Sequence, residues 1–151
     1  SLKAIDLNGE LKVFNKKQIK FFYRGNNLDK KLIILNVIFQ GKKGNKNQIQ
    51  SLQDTFLKEK KESQPNRIKT CGSTFKNPIS QTKKKVWELI KESVPLDISF
   101  GDAYISEKHC NFFVNKGNAS FEDMKKLIDF VTKGVFEKTG ISLEKEIKIL
   151  E

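Results

Sequence analysis

Residues 72–78, Gly-Ser-Thr-Phe-Lys-Asn-Pro, set a hydroxyl, an ammonium and an amide close behind a glycine. A serine is a reluctant proton donor because the alkoxide it leaves is poorly stabilised, and a nearby cation lowers that cost. Lys76 lies inside the motif and Lys61 a short way before it. Gly72 would free the backbone so that the Ser73 hydroxyl faces a ligand. The same residues also make an ordinary turn, since Asn-Pro is a common turn signal and Gly, Ser and Asn all punctuate structure. On these residues alone both readings stand.

Three further stretches hold polar groups that a core does not need. Tyr23-Arg24-Gly25 closes an aromatic run, and Arg24 and Arg67 are the only arginines in a chain that otherwise uses lysine. A guanidinium there suits planar, bidentate recognition of a carboxylate, although an exposed surface turn explains the same residues. His109, the only histidine, precedes Cys110. Adjacent residues on a strand point to opposite faces, which argues against a Cys–His nucleophilic pair, and one histidine does not make a zinc site. The plain alternative for His109 is a polar residue at a strand end. Glu144 and Glu146 alternate with Lys145 near the C-terminus, as a solvated strand face does.

The elements that must position these groups can be read from periodicity. Residues 2–14 alternate around Asn8-Gly9, a strong hairpin signal, and Asn15 can cap a short helical turn. The apolar run Leu32–Phe39 predicts a buried strand ended by Gly41, and Ile49, Leu52 and Phe56 fall at helical spacing after it. Thr82 is placed to cap a helix carrying Val86, Leu89 and Ile90, closed by Pro95. Residues 103–115 read as a strand, or as two strands broken between Ser106 and His109. Ser120 and Asp123 have capping-box spacing before a helix that presents Phe121, Met124, Leu127, Ile128, Val131 and Val135 on one face and stops at Gly140. Residues 141–150 predict a half-exposed final strand. No internal repeat is present, and the element order fits α+β better than a doubly wound sheet. The opening hairpin needs partner strands, because a lone hairpin is marginal in water.

Bulk composition narrows the class. The 151 residues are 37% hydrophobic and 31% charged, which suits a soluble globular chain. The longest apolar run is too short for a bilayer, and no signal-peptide pattern opens the chain, so no membrane partner is expected. Cys71 and Cys110 form no C-x-x-C pair and read as reduced thiols in a cytoplasmic protein. The net charge of +11 with twelve Phe raises a rival reading, a basic nucleic-acid-binding module. Against it, the lysines run from Lys3 to Lys148 without forming one stripe and arginine is scarce. No nucleic-acid partner is expected.

Taken in order, these stretches resemble the UDP-N-acetylenolpyruvoylglucosamine reductase family over nearly the whole chain. Gly72–Pro78 is similar to its Gly-Ser-x-Phe-Lys-Asn-Pro motif and Tyr23-Arg24 to its Tyr-Arg motif, while residues 101–150 resemble its C-terminal region. The resemblance implies FAD- and NADPH-dependent reduction of an enolpyruvyl UDP-sugar to UDP-N-acetylmuramate, in peptidoglycan precursor synthesis. It implies Ser73 as proton donor, Arg24 as the group that neutralises the substrate carboxylate, and Glu146 as the catalytic glutamate. Tyr23, Asn77, His109 and, more loosely, Lys61 fall at substrate-binding positions. Lys145 stands where a proline is frequent, Lys148 where an arginine is usual, and Asn26 in a stretch that lacks a common serine. Family members are about twice this length, and the glycine-rich segments that cradle the FAD diphosphate have no counterpart here. The implied organisation is residues 1–61 as the tail of a flavin-binding domain and 62–151 as a substrate-binding domain, with the last strand returning towards the flavin. The expectation is a C-terminal fragment that binds FAD poorly and is inactive alone; a remnant that only binds sugar nucleotide is the alternative, and exposed flavin-domain strands would allow self-association.

Overall fold

The computed structural model describes residues 1–150 and has the mixed α+β fold expected. Two compact units divide between Lys46 and Asn47. In the first, β1 (Leu2–Ile5) lies between β2 (Leu11–Phe14) and β5 (Ile33–Val37), all antiparallel. The predicted hairpin is present, with Ile5 opposite Leu11. Its turn is organised by Asp6, whose Oδ1 accepts the N–H groups of Asn8 and Glu10, while Gly9 takes φ +86°. Lys12 bonds to the Asp6 carboxylate at 2.8 Å and holds its pKa below the ordinary value. Asn15 caps the short 3-10 turn Lys16–Gln18 through a reciprocal box with Gln18.

The strand predicted to be buried is not. β5 exists, but Ile33, Ile34, Leu35 and Val37 are all exposed. Only Leu2 and Ala4 are buried in this unit. A strand becomes buried when a second layer covers it, and apolar content alone does not supply that layer.

All of α1 (Lys46–Ser63) but its first residue lies in the second unit, and the helix has no buried residue. A four-stranded antiparallel sheet follows, in the order β6 (Lys69–Ser73), β9 (Phe112–Asn115), β8 (Ala103–Ile105), β7 (Ser99–Phe100). Residues 103–115 are therefore two strands with a break, the second of the two readings. Two helices supply the core with the sheet: α2 (Val86–Ser93) through Leu89 and Ile90, and α3 (Phe121–Thr139) through Leu127, Ile128, Val131 and Val135. The capping box of Ser120 and Asp123 forms, and Gly140 closes α3 at φ +72°. Of the face expected for α3, Met124 is only partly buried and Phe121, in the first turn, is exposed, because the apolar stripe reaches the sheet only further along the helix.

Two boundaries differ from expectation. Lys85, rather than Thr82, is the N-cap of α2, and the Glu88 carboxylate accepts the Lys85 N–H at 2.6 Å. Thr82 Oγ1 is already used in a local turn, where it accepts the Lys84 N–H. Among its described residues the C-terminal segment makes one β-bridge, Lys145 opposite Phe75, and no regular strand. Its partner backbone is short: β6 ends at Ser73, and Pro78, which lacks an N–H, stands five residues on. Ile141, Leu143 and Ile147 still pack against the core, as alternation predicts.

Candidate functional site

Ser73 sits at the end of β6, just after an irregularity in the pairing with β9. Lys69 and Thr70 oppose Asn115 and Val114, the register then shifts, and Ser73 opposes Phe112. Gly72 makes the shift possible with φ +85°, in the left-handed region. Thr70 completes the bulge: its hydroxyl donates to the Phe113 carbonyl at 2.8 Å and accepts the Gly72 N–H at 3.2 Å. Bulges of this kind re-aim the next side chain and end pairing. Ser73 is left half-buried rather than in the core.

The two residues after Ser73 are fixed on both sides. The Thr74 N–H donates to the Asn111 carbonyl, and the Thr74 carbonyl accepts the Glu146 N–H, each at 2.8 Å. The Lys76 N–H donates to the Glu144 carbonyl at 2.9 Å, and Lys76 Nζ is ion-paired with the Glu144 carboxylate. Phe75 anchors the strip in the core, edge-on to Phe113 with ring centroids 5.9 Å apart. Sequence-distant Ser73 and Glu146 therefore belong to adjoining backbone segments. Gln81 adds a second hold on the tail, donating to the Ser142 carbonyl at 2.9 Å and accepting its N–H at 3.0 Å.

The other predicted residues lie as follows. Asn77 Oδ1 accepts the Val86 N–H at 3.0 Å, satisfying a donor in the first turn of α2. His109 Nδ1 accepts the Asn111 N–H at 3.2 Å, which sets the neutral tautomer with the proton on Nε2. Its ring stands edge-on to Phe112 at 4.9 Å, and burial lowers its pKa. Burial raises the pKa of the neighbouring Cys110 thiol, which donates to the Trp87 carbonyl at 3.0 Å. Lys61 is exposed on α1, and its carbonyl accepts Lys108 Nζ at 3.0 Å.

Tyr23 and Arg24 belong to the first unit, in the turn between β3 (Phe21–Phe22) and β4 (Gly25–Asn26). Arg24 has φ +56° and its guanidinium lies 5.4 Å from the Tyr23 ring centroid. A non-glycine residue in the left-handed region costs about 1 kcal/mol, which makes this turn more constrained than a generic loop. Among the described residues no cluster of His, Cys, Asp or Glu could hold a metal ion. Sequence reasoning overlooked Asn111 and Gln81. The available signal for Asn111 was a lone amide inside a run of apolar residues.

Fold and motifs define the closing α+β domain of a reductase: the family model of the UDP-N-acetylenolpyruvoylglucosamine reductase C-terminal domain matches residues 64–150. The chain belongs to the UDP-N-acetylenolpyruvoylglucosamine reductase family. It is 60% identical over its full length to the protein of that name from Pelagibacter ubique, spanning 50% of that relative. Identity to the Rickettsia bellii protein of the same name is 42% over 97% of the chain and 48% of the relative. The crystal structure of the reductase (MurB) from Thermus caldophilus matches with a TM-score of 0.78 and 30% identity, over 97% of this chain and 51% of that one. The chain thus spans about half the length of the relatives it matches.

Proposed function

We propose that this chain is the C-terminal part of an enzyme that reduces the enolpyruvyl group of UDP-N-acetylglucosamine enolpyruvate to give UDP-N-acetylmuramate for peptidoglycan synthesis. In this reading residues 1–61 close a flavin-binding domain, residues 62–151 form the substrate-binding domain, and the protein works in the cytoplasm. The observation that carries the reading is the antiparallel seating of the Ser73 motif against the Glu146 tail, joined by the Glu146 N–H to Thr74 carbonyl bond of 2.8 Å.

Saturating an enolpyruvyl double bond requires a hydride and a proton. Ser73 would deliver the proton to carbon, and Lys76 is the nearest cation in its motif to ease loss of that proton. Glu146 would act on the same reacting group from the adjoining segment. Arg24 would neutralise the substrate carboxylate as negative charge builds there. Tyr23, Asn77, His109 and Lys61 would contact the sugar nucleotide. The hydride is assigned to FAD reduced by NADPH, but the present residues do not fit that cofactor. The described glycines stand singly, with no run of adjacent amides to cradle a diphosphate. The cradle for the FAD diphosphate is therefore assigned to the half of the relatives' length that this chain does not span.

Calorimetric titration of the 151-residue chain with the enolpyruvyl sugar nucleotide tests the reading, with duplex DNA at the same salt as control. Saturable binding that Ser73→Ala leaves intact supports a self-standing substrate lobe. Tighter, salt-sensitive DNA binding with no response to the sugar nucleotide would replace this reading with the nucleic-acid one.

A further inference from the structure

Asn111 is almost fully buried, at 4% exposure, between Cys110 and Phe112. Its side-chain amide is used at both ends on one residue: Oδ1 accepts the Phe75 N–H at 3.0 Å, and Nδ2 donates to the Phe75 carbonyl at 2.9 Å. The backbone donor and acceptor of Phe75 fix which end of the amide is which. With the Asn111 carbonyl on the Thr74 N–H and the Glu146 N–H on the Thr74 carbonyl, all four backbone polar groups of Thr74 and Phe75 are engaged. Three of the four go to Asn111.

The ladder explains why a side chain does this work. Phe112 pairs with Ser73, but beyond it the chain turns back through the bond from the Phe112 N–H to the His109 carbonyl. Past Ser73 the backbone ladder keeps one bond, from the Thr74 N–H to the Asn111 carbonyl, and the Asn111 side-chain amide, which has the donor and acceptor of a peptide group, serves Phe75 in place of a further rung. We propose that Asn111 is a positioning residue that fixes Ser73 relative to Glu146. It acts through the Thr74–Phe75 backbone and not by contact with substrate. This inference rests on the assignment of Ser73 and Glu146 to the reaction, but its central geometry is measurable without turnover.

Asn111→Asp and Asn111→Leu separate the amide's role from simple packing. An ionised Asp accepts the Phe75 N–H but faces the Phe75 carbonyl with a second acceptor, whereas a protonated Asp can donate there. Leu offers neither bond at any pH. Titratable groups on the segments around the position are His109, Cys110, Lys76, Glu144, Lys145 and Glu146, so the unsubstituted chain is run through the same pH series.

Amide hydrogen exchange, read as protection factors in the full 151-residue chain between pH 5 and pH 8, is the measurement. Expected in Asn111→Asp is a loss of roughly tenfold to a hundredfold in protection at Thr74, Phe75 and Glu146 at pH 8, the consequence of losing a buried bond. Recovery towards the unsubstituted values is expected at pH 5, with Asn111→Leu recovering nowhere. If Leu fails to fold, the Asp series alone decides. Protection lost evenly across α2, α3 and the sheet, or unchanged at the three amides, would overturn the inference. Sugar-nucleotide binding, followed in parallel by resonance shifts at Ser73, keeps the two claims apart. Local, pH-rescued loss without any ligand response sinks the functional reading and leaves the positioning role. A ligand response unaltered in Asn111→Asp, with protection unchanged, does the reverse.

Discussion

Gly72 shows how much of the site depends on one backbone angle. A Cβ there would meet nothing within 4 Å, so the whole penalty for a side chain comes from φ +85°. Gly72→Ala is expected to destabilise the second unit by about 1 kcal/mol. The check is the urea midpoint, which should fall with an unchanged slope. A larger loss would mean that the bulge rearranges and takes Ser73 with it. His109 gives a prediction in pH. Burial lowers its pKa below the ordinary 6.5, so the unfolded chain binds the proton more readily than the folded one. Its contribution is fully present above the unfolded pKa and declines as pH falls from 6.5 towards the folded value. Unfolding midpoints for the chain and for His109→Gln should diverge in that window and run parallel above it. Equal pH dependence would show that the fold does not favour the neutral form of His109.

Gly134 of α3 leaves room for Val94, the residue that ends α2. A Cβ at this position would lie 2.5 Å from Val94 Cγ1, closer than atoms can sit without a shift. Helix propensity favours Gly134→Ala by about 1 kcal/mol, but overpacking typically costs about 1–3 kcal/mol, so the substitution is expected to lower the melting temperature. Adding Val94→Ala should recover part of the loss, and a double-mutant cycle measures the coupling. Additive effects would show that the two helices move apart freely. Elements with this kind of local signature were legible in advance: the Asn8-Gly9 hairpin, the Ser120–Asp123 box, the Gly140 stop and the apolar face of α3. What was not legible depended on distant partners. The exposure of Ile33 to Val37 turns on whether another layer covers them. The start of α2 turns on Asn77 and Glu88 competing with Thr82. The tail near Glu146 alternates like a strand yet finds only Thr74 to Lys76 to pair with. Motif residues Ser73 and Glu146 could be named from the sequence, but the amides that hold them, Asn111 and Gln81, could not. Their roles exist only where the chain folds back on itself.

Across the whole chain, stability should be uneven. The first unit buries only Leu2 and Ala4, whereas the second buries a connected cluster that includes Phe75, Leu89, Ile90, Leu127, Val131 and Val135. Apolar burial contributes about 25 cal/mol for each Å² removed from water, so a sheet with two buried side chains gains little to oppose its chain entropy. Amides of β1, β2 and β5 are therefore expected to exchange through openings of low free energy, and those of β8, β9 and α3 only near global unfolding of their unit. Denaturation should then depart from a single two-state transition, with residues 1–46 losing protection first. Ile90→Val provides the control: it should weaken protection in the second unit by about 1 kcal/mol and leave the first unchanged. Uniform protection across both units, or a single transition seen alike by all amides, would show that the exposed faces of β2 and β5 are covered in solution. Sedimentation equilibrium would then tell whether a second copy supplies the cover, since only self-association makes the protection depend on concentration.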